Sequence, residues 1–329
     1  MTPLLSVCLI TYNHEKYLDE SLASIFKQDA SFDLEVVIGE DLSSDRTREI
    51  VRDWVERYPH IIRPIFRNSN LGLKKNFIDT LSQCRGDYVA VLSGDDYWTD
   101  PLKLQRQVGF LSDNPDYTLI STNAAALRNG ATDPDRVVNT TLTAFDFDTS
   151  DLIKGNPCIA SQVAFKNHLI QSFPDVYHLA TGEDRGLYLL LSRLGRCRFD
   201  PTITGVYRIH EASITSRRAA RYCGKIDSRR EAISNARAWN AYFQHDFDAE
   251  VAIVVHRNSV SMLRLAYHER DVATGAEALL GIDPDRLASQ GRRIAIRTLR
   301  PLAAAILRLT STWRYHWSTG ANSSPLEPE

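Results

Sequence analysis

Two aspartates stand side by side at Asp95-Asp96, and the sequence on either side says where they sit. Ahead of them, Tyr88-Val89-Ala90-Val91-Leu92 is an apolar run of the kind that forms a buried strand in a parallel sheet. Behind them, Asp100-Pro101 offers an N-cap and a proline at the first helical position. The pair is therefore expected on a loop at the carboxyl end of a core strand, where open α/β sheets bind their ligands. Adjacent carboxylates repel, and the arrangement costs least with a divalent cation between them and an anionic ligand. A solvated Asp-Asp turn is the plain alternative.

The elements that must position these acids alternate between strand and helix. Leu4–Ile10 reads as a strand, followed by a helix with Leu18, Leu22, Ile25 and Phe26 on one face. Leu34–Gly39 reads as a second strand, and Ser43 or Ser44 can cap a helix whose inner face is Ile50, Val51, Trp54 and Val55. Ile61–Phe66 is a third strand, placed at an edge by Pro64. A helix with Phe77, Ile78 and Leu81 then ends before Gly86. Right-handed crossovers put all the strands' carboxyl ends on one side of a single sheet. Thr11, Asp41, Lys74 and Asp95-Asp96 are thus expected to be neighbours. The layout suits a nucleotide, yet neither a G-x-G-x-x-G nor a G-x-x-x-x-G-K-[ST] cradle occurs. Positive charge for a diphosphate would have to come from elsewhere, and a metal at Asp95-Asp96 would supply it.

Ser6-Val7-Cys8-Leu9-Ile10-Thr11-Tyr12-Asn13, Glu40-Asp41-Leu42-Ser43-Ser44-Asp45-Arg46-Thr47, Asn70-x-Gly72 with Asn76, and Gly86-Asp87-Tyr88 leading to Gly94-Asp95-Asp96 resemble, in this order and spacing, the family 2 glycosyltransferases. The resemblance covers about the first 125 residues. It implies the GT-A fold, an α/β architecture with a mostly parallel sheet flanked by helices. It also implies transfer of a sugar from a nucleotide-diphosphate donor, a UDP-sugar first of all, with Mg²⁺ or Mn²⁺. Carried over by position, Thr11 and Asp41 hold the nucleobase, Asn13 shapes that pocket and Lys74 approaches the base. Asp95 contacts the ribose and the metal, and Asp96 binds the metal directly. The family usually has Asp-Asp-Gly where this chain has Glu40-Asp41-Leu42. Trp98 and Glu183 are assigned to the acceptor or diphosphate side.

Residues 128–150 are polar and turn-rich and read as a surface excursion, followed by a strand near Gln162–Phe165. Thr181-Gly182-Glu183-Asp184 opens a helix with Leu187, Leu190, Leu191 and Leu194 on one face. The spacing fits a cap at Thr181 with Asp184 at the third helical position. The resemblance instead makes Asp184 the catalytic base, the carboxylate that an inverting transfer needs opposite its leaving group. Both roles can coexist. Tyr207-Arg208-Ile209-His210 follows a further strand. The resemblance makes His210 a metal or diphosphate residue, and Arg208 can pair with phosphate oxygens.

At 329 residues with 43% hydrophobic and 24% charged residues, the chain can hold one large domain and an appendage. The expected division is a sheet domain over 1–215, a helical region over 216–317 and a disordered tail over 318–329. A net charge of −2 gives no argument for nucleic acid as a partner. Five scattered cysteines without a C-x-x-C pair fit a reducing cytosol. No leader is expected from the start Met1-Thr2-Pro3-Leu4-Leu5, and no apolar run is long enough to span a bilayer. Helical spacing returns at Ala236, Trp239, Tyr242 and Phe243, with strand-like residues at Val251–Val255. Between Arg286 and Trp317 seven arginines interleave with apolar residues and no acid. That stretch is either an interfacial helix, giving peripheral contact with the inner face of the cell membrane, or a helix docked on protein. The acceptor would be a saccharide or a lipid-linked one. A nucleotidyltransferase and a non-catalytic nucleotide-sugar-binding protein are the alternatives to the enzyme class.

Overall fold

The structure, a computed structural model, describes residues 4–128, 131–211, 221–287 and most of 293–304 together with 307; for 131–136 and Glu183 it describes the backbone alone. The chain divides into two compact units, 1–216 and 217–329.

In the first unit the alternating pattern becomes β1 (Leu5–Thr11), α1 (Leu18–Phe26), β2 (Leu34–Glu40), α2 (Thr47–Arg57), β3 (Ile62–Phe66), α3 (Leu73–Leu81) and β4 (Tyr88–Ser93). β5 (Tyr97–Trp98), α4 (Lys103–Asp113), β6 (Tyr117–Arg128), β7 (Ala131–Val137), β8 (Phe145–Phe147) and α5 (Thr149–Lys154) follow. The unit closes with β9 (Val163–Lys166), α6 (Asp175–Leu179), α7 (Glu183–Ser192) and β10 (Arg196–Ile209). Among the described residues ten strands make one sheet, ordered β3-β2-β1-β4-β9-β6-β10-β5, with β7 on β6 and β8 on β10. β3, β2, β1 and β4 run parallel, β9 is antiparallel to both its neighbours, and β6 and β10 are parallel again. β1 is buried along its whole length, which is why it reads as a continuous apolar run rather than an alternation.

Several local expectations are corrected. Residues 128–150 are not a loose excursion, since β7 and β8 extend the sheet there. Neither Ser43 nor Ser44 caps α2; Asp45 Oδ1 accepts the Thr47 N–H at 3.0 Å, and Ser43 turns toward the first loop. Asp100 caps a turn rather than α4, which begins only at Lys103. Gly86 does not close α3. It stands two residues ahead of β4, where any Cβ would lie 2.6–2.9 Å from the backbone of Leu5 and Ser6.

At the amino ends of the strands, Glu35 is buried and receives Ser6 Oγ–H at 2.8 Å, the Arg85 N–H at 2.8 Å, and the guanidinium groups of Arg85 and Arg63. Burial alone would raise its pKa, but these donors outweigh it and bring the carboxyl down to about 2. A depressed carboxylate stabilises the fold above its unfolded value of 4.5 and loses that contribution as pH falls toward about 2. Glu35→Gln is therefore expected to cost roughly 3 kcal/mol at pH 7 and much less at pH 3, measured by urea unfolding at both values. An equal loss at both would mean that packing, not charge, carries the effect.

The second unit contains α8 (Tyr222–Tyr242), α9 (Asp248–Glu269) and α10 (Val272–Gly281). Val251–Val255 lies within α9, so its β-branched residues serve a helix face. Ile226, Met262 and Ala278 form a core between the three helices, fastened by Tyr222 Oη–H to Asp271 at 2.9 Å and Arg230 to Glu277 at 2.6 Å. Among the described residues no helix is long and apolar enough to cross a membrane. Most of the arginine-rich stretch 286–317, and all of 318–329, lie outside the described residues.

Candidate active site

The carboxyl ends of β1 and β2 are laced together by their loops. Thr11, buried at the end of β1, has Oγ1 3.2 Å from His14 Nδ1. Asn13 adopts the left-handed region (φ 56°), which its short polar side chain tolerates. It receives the Ser44 N–H on Oδ1 at 2.8 Å and donates its own N–H to Ser43 Oγ at 3.0 Å. Asp41 is buried, and its two carboxylate oxygens accept the N–H groups of Leu71 (2.7 Å) and Gly72 (2.9 Å). Asn70 Nδ2 donates to the Asp41 carbonyl at 2.9 Å. The loop ahead of α3 is thereby fixed to the end of β2.

Leu42, next in the chain, also sits in the left-handed region (φ 58°), where glycine would be free of the Cβ clash. Relief of about 1–2 kcal/mol in Leu42→Gly is offset by roughly 0.5–1 kcal/mol of added chain entropy. Stability should be unchanged or rise by up to about 1.5 kcal/mol, whereas Leu42→Ile, β-branched at a positive φ, should lose about 1 kcal/mol or more. Equal melting temperatures for the two variants would contradict this account.

The acids occupy the end of β4. Gly94 precedes them because a Cβ there would lie 2.6 Å from Thr11 Oγ1 and 2.8 Å from His14 Nδ1. Asp95 Oδ2 is 3.1 Å from His210 Nε2 and 3.9 Å from His14 Nε2, while Oδ1 accepts the Ser93 hydroxyl. Burial works against its ionised form, yet His210, His14 and Ser93 bring its carboxyl down to about 2. Burial lowers the pKa of His14, and the charge on Asp95 pulls it partly back. Asp96 has the opposite surroundings. It is 3% exposed; Oδ1 accepts the Arg208 N–H at 2.9 Å and Oδ2 accepts Ser161 Oγ–H at 2.5 Å. Burial first, then the charge of Asp95, raises its pKa well above the ordinary value.

The two acids differ in surroundings, and the assignments of Arg208 and Trp98 change. All four oxygens of the pair accept hydrogen bonds from the protein, but the acids differ in exposure: Asp95, beside His210, keeps its side chain 16% exposed, whereas Asp96 is almost fully enclosed. Arg208 is not a phosphate clamp. Its guanidinium is buried between the rings of Tyr97 (4.5 Å) and Tyr17 (5.1 Å), donates to the Asp95 carbonyl at 2.6 Å and pairs with Glu20. Trp98 is 3% exposed, donates Nε1–H to the Ser161 carbonyl at 2.7 Å and carries the Lys103 ammonium over its ring at 4.5 Å, so no face is left for an acceptor.

Asp184 is the second residue of α7, whose N-cap is Gly182 rather than Thr181. Asn156 Nδ2 lies 3.4 Å from its Oδ2. Burial raises its pKa, opposed by the N–H groups at the helix start and by Arg185. Glu183 opens the same helix, and its side chain lies outside the described residues. Lys74 Nζ donates to the carbonyls of Tyr177 (2.7 Å) and Ala180. The stretch 156–161 touches both acidic centres, with Asn156 on Asp184 and Ser161 on Asp96.

Sequence reading passed over His14, Tyr17, Glu20, Asn156 and Ser161. Each works through contacts to residues far away in the chain, and none belongs to a spaced pattern. The donor set of one carboxylate and imidazole nitrogens can form part of a shell for Mn²⁺ or Mg²⁺, the rest coming from phosphate oxygens and water. Among the described residues no group of three or more His, Cys, Asp or Glu is arranged to enclose a cation unaided.

Residues 6–161 match the profile of the Glycosyl transferase family 2 family. An uncharacterized protein of Mycobacterium tuberculosis is 45% identical over 115 residues, covering 35% of this chain and 33% of that protein. The abequosyltransferase RfbV of Salmonella typhimurium is 40% identical over 97 residues, 28% of each chain. The chain spans about a third of the length of these curated relatives. Among solved structures, S. aureus TarS in complex with UDP-GlcNAc superposes with a TM-score of 0.58 at 20% identity, covering 96% of this chain and 92% of that one. The mannosyltransferase PcManGT of Pyrobaculum calidifontis, in complex with GDP-Man and Mn²⁺, gives 0.56 at 18% identity over 95% and 83%. The sheet unit is a GT-A fold. The family match lies within that unit and spans just under half of the chain.

Proposed function

We propose that this protein is an inverting glycosyltransferase that moves a sugar from a nucleotide-diphosphate donor, UDP-linked in the first instance, to an acceptor hydroxyl with Mg²⁺ or Mn²⁺ as cofactor. The observation that carries the reading is the segment 156–161, which ties the candidate base Asp184 and the acid pair on β4 to one short stretch of chain. The family match over 6–161 and the nucleotide sugars bound by TarS and PcManGT support it.

Asp184 accepts the proton of the acceptor hydroxyl as its oxygen forms a bond to the anomeric carbon and the bond to the diphosphate oxygen breaks. Burial raises its pKa above the ordinary carboxylate value, which makes it a stronger proton acceptor once ionised. Asp41 and Asn70 keep the loop before α3 shaped for the nucleobase, beside Thr11 and Asn13. Asp95 and His210 would hold the cation, which when bound neutralises the charge of the departing diphosphate. Arg208 and Asp96 hold the backbone of that corner in place. Dispersed hydrogen bonds rather than a glycine cradle define the donor side, in keeping with a cation-assisted diphosphate. The acceptor is a saccharide or a lipid-linked one, and 286–317 is the stretch for peripheral membrane contact.

The test is release of nucleoside diphosphate from a panel of UDP-, GDP- and dTDP-sugars with Mn²⁺. Turnover of one sugar donor is expected. No release, together with no thermal stabilisation by any donor, would overturn the reading. Release of pyrophosphate from a nucleoside triphosphate would move the protein to the nucleotidyltransferases.

A further inference from the structure

One side chain spans the distance between the loop that Asp41 holds and the turn that leads to Asp184. Lys74 lies in the first turn of α3, and that turn is anchored from below. Asp41 grips the N–H groups of Leu71 and Gly72, and Asn76 Nδ2 donates to the Gly39 carbonyl at 2.9 Å. From this base Lys74 reaches the carbonyls of Tyr177 and Ala180 and stands over the Tyr177 ring at 5.4 Å. α6 ends at Leu179 with Ala180 as its C-cap, so these are carbonyls of its final turn and cap. Such groups lack partners within the helix and carry partial negative charge, which an ammonium satisfies. Tyr177 is buried, with Phe173 against its ring at 4.4 Å. Two residues beyond Ala180, Gly182 (φ 83°) turns the chain into α7, and Asp184 is α7's second residue.

We propose that Lys74 is a positioning residue for Asp184: by capping the end of α6 it fixes the turn 177–182 and hence where the carboxylate stands. The loop assigned to the nucleobase and the turn that carries the base then share one strut. The functional half of this inference rests on the glycosyltransferase reading; the strut itself does not. Lys74 is thereby moved from a contact with the base, as the resemblance implied, to a contact with main chain.

Amide hydrogen exchange on the full chain tests the strut without any substrate. In Lys74→Met, amides of 177–186 should exchange about tenfold faster while β1, β2 and β4 keep their protection, and Lys74→Arg should restore most of it. Unchanged exchange at 177–186, or faster exchange throughout the unit, overturns the proposal. Lys74→Gln, which keeps one donor, serves if the Met variant does not fold, and the same exchange patterns support or overturn the strut. For turnover of whichever nucleotide sugar the chain accepts, Lys74→Met should lower kcat at least about tenfold with the donor KM within about twofold. A raised KM at constant kcat would return Lys74 to the donor and overturn the proposal. If exchange responds as expected and no nucleotide sugar is turned over, the glycosyltransferase reading fails and the strut stands.

Discussion

Asp184→Asn is expected to lower sugar transfer by about 10²–10⁴-fold while leaving nucleotide binding intact. The substitution keeps the shape of the side chain at the second position of α7 and keeps an oxygen for Asn156 Nδ2, so the loss isolates the proton acceptor. Thermal stabilisation by UDP with Mn²⁺ should match that of the parent chain, because Asp184 is assigned no donor contact. The pKa adds two signs that can be checked together. Burial raises Asp184 above its ordinary value of 3.8, so the acidic limb of the parent's pH–rate profile should lie above that value, with activity rising as the carboxyl ionises. The same shift means that the folded chain holds this proton more tightly than the unfolded one. The contribution to stability therefore falls as pH rises from 3.8 through the folded pKa. Asp184→Asn should accordingly be no less stable than its parent at neutral pH, and more stable if burial dominates. An active variant, or one that loses UDP binding together with activity, would remove Asp184 from the role of base.

How far the sequence reveals this arrangement depends on the range of the interaction. Runs such as Leu5–Thr11 and Tyr88–Ser93 are buried on both faces, and burial leaves a compositional mark that can be read without a structure. The carboxyl-end rule then places Thr11, Asp41 and Asp95 at one rim, as found. The rule does not say which oxygen points where. Asp95 and Asp96 are adjacent in sequence and alike in chemistry, but successive residues leave a strand end in different directions. One reaches His210, 115 positions away; the other meets Ser161 and the main chain of Arg208. Arg208 misleads for a related reason. A Tyr-Arg-x-His string reads as a cationic loop, while the guanidinium is spent between Tyr17 and Tyr97 and on Glu20, partners that no local pattern announces. β7 and β8 escape notice because sheet-edge strands need few apolar residues, so polar sequence over 128–150 looks like loop. Val251–Val255 errs the other way, since β-branched residues suit a helix once its face is packed, as in α9.

The exchange of roles between the two aspartates gives the second large expectation. Asp95→Asn should reduce Mn²⁺-dependent turnover by about 10³-fold, because it removes the charged oxygen beside His210 and leaves an amide that binds a hard cation poorly. Asp96→Asn should keep its dependence on Mn²⁺. Its oxygen can still accept the Arg208 N–H. Ser161 Oγ, which now donates to Asp96 and accepts the Ser93 N–H at 3.2 Å, can turn to accept the new amide. Rearranging that buried pair should cost about 1 kcal/mol of stability and only a modest part of kcat. The discriminating measurement is a Mn²⁺ titration followed both by turnover and by the shift in melting temperature with UDP present. If Asp96→Asn loses the response to Mn²⁺ and Asp95→Asn keeps it, the ligand is Asp96 after all, and the cation must reach a buried carboxylate that Ser161 and Arg208 already hold. A chain built that way would place the cation on a carboxylate that also ties β10 to the end of β4 through the Arg208 N–H. With Asp95 as the ligand, those ties can stay closed throughout the reaction, which is the less costly arrangement for a site that must hold its geometry.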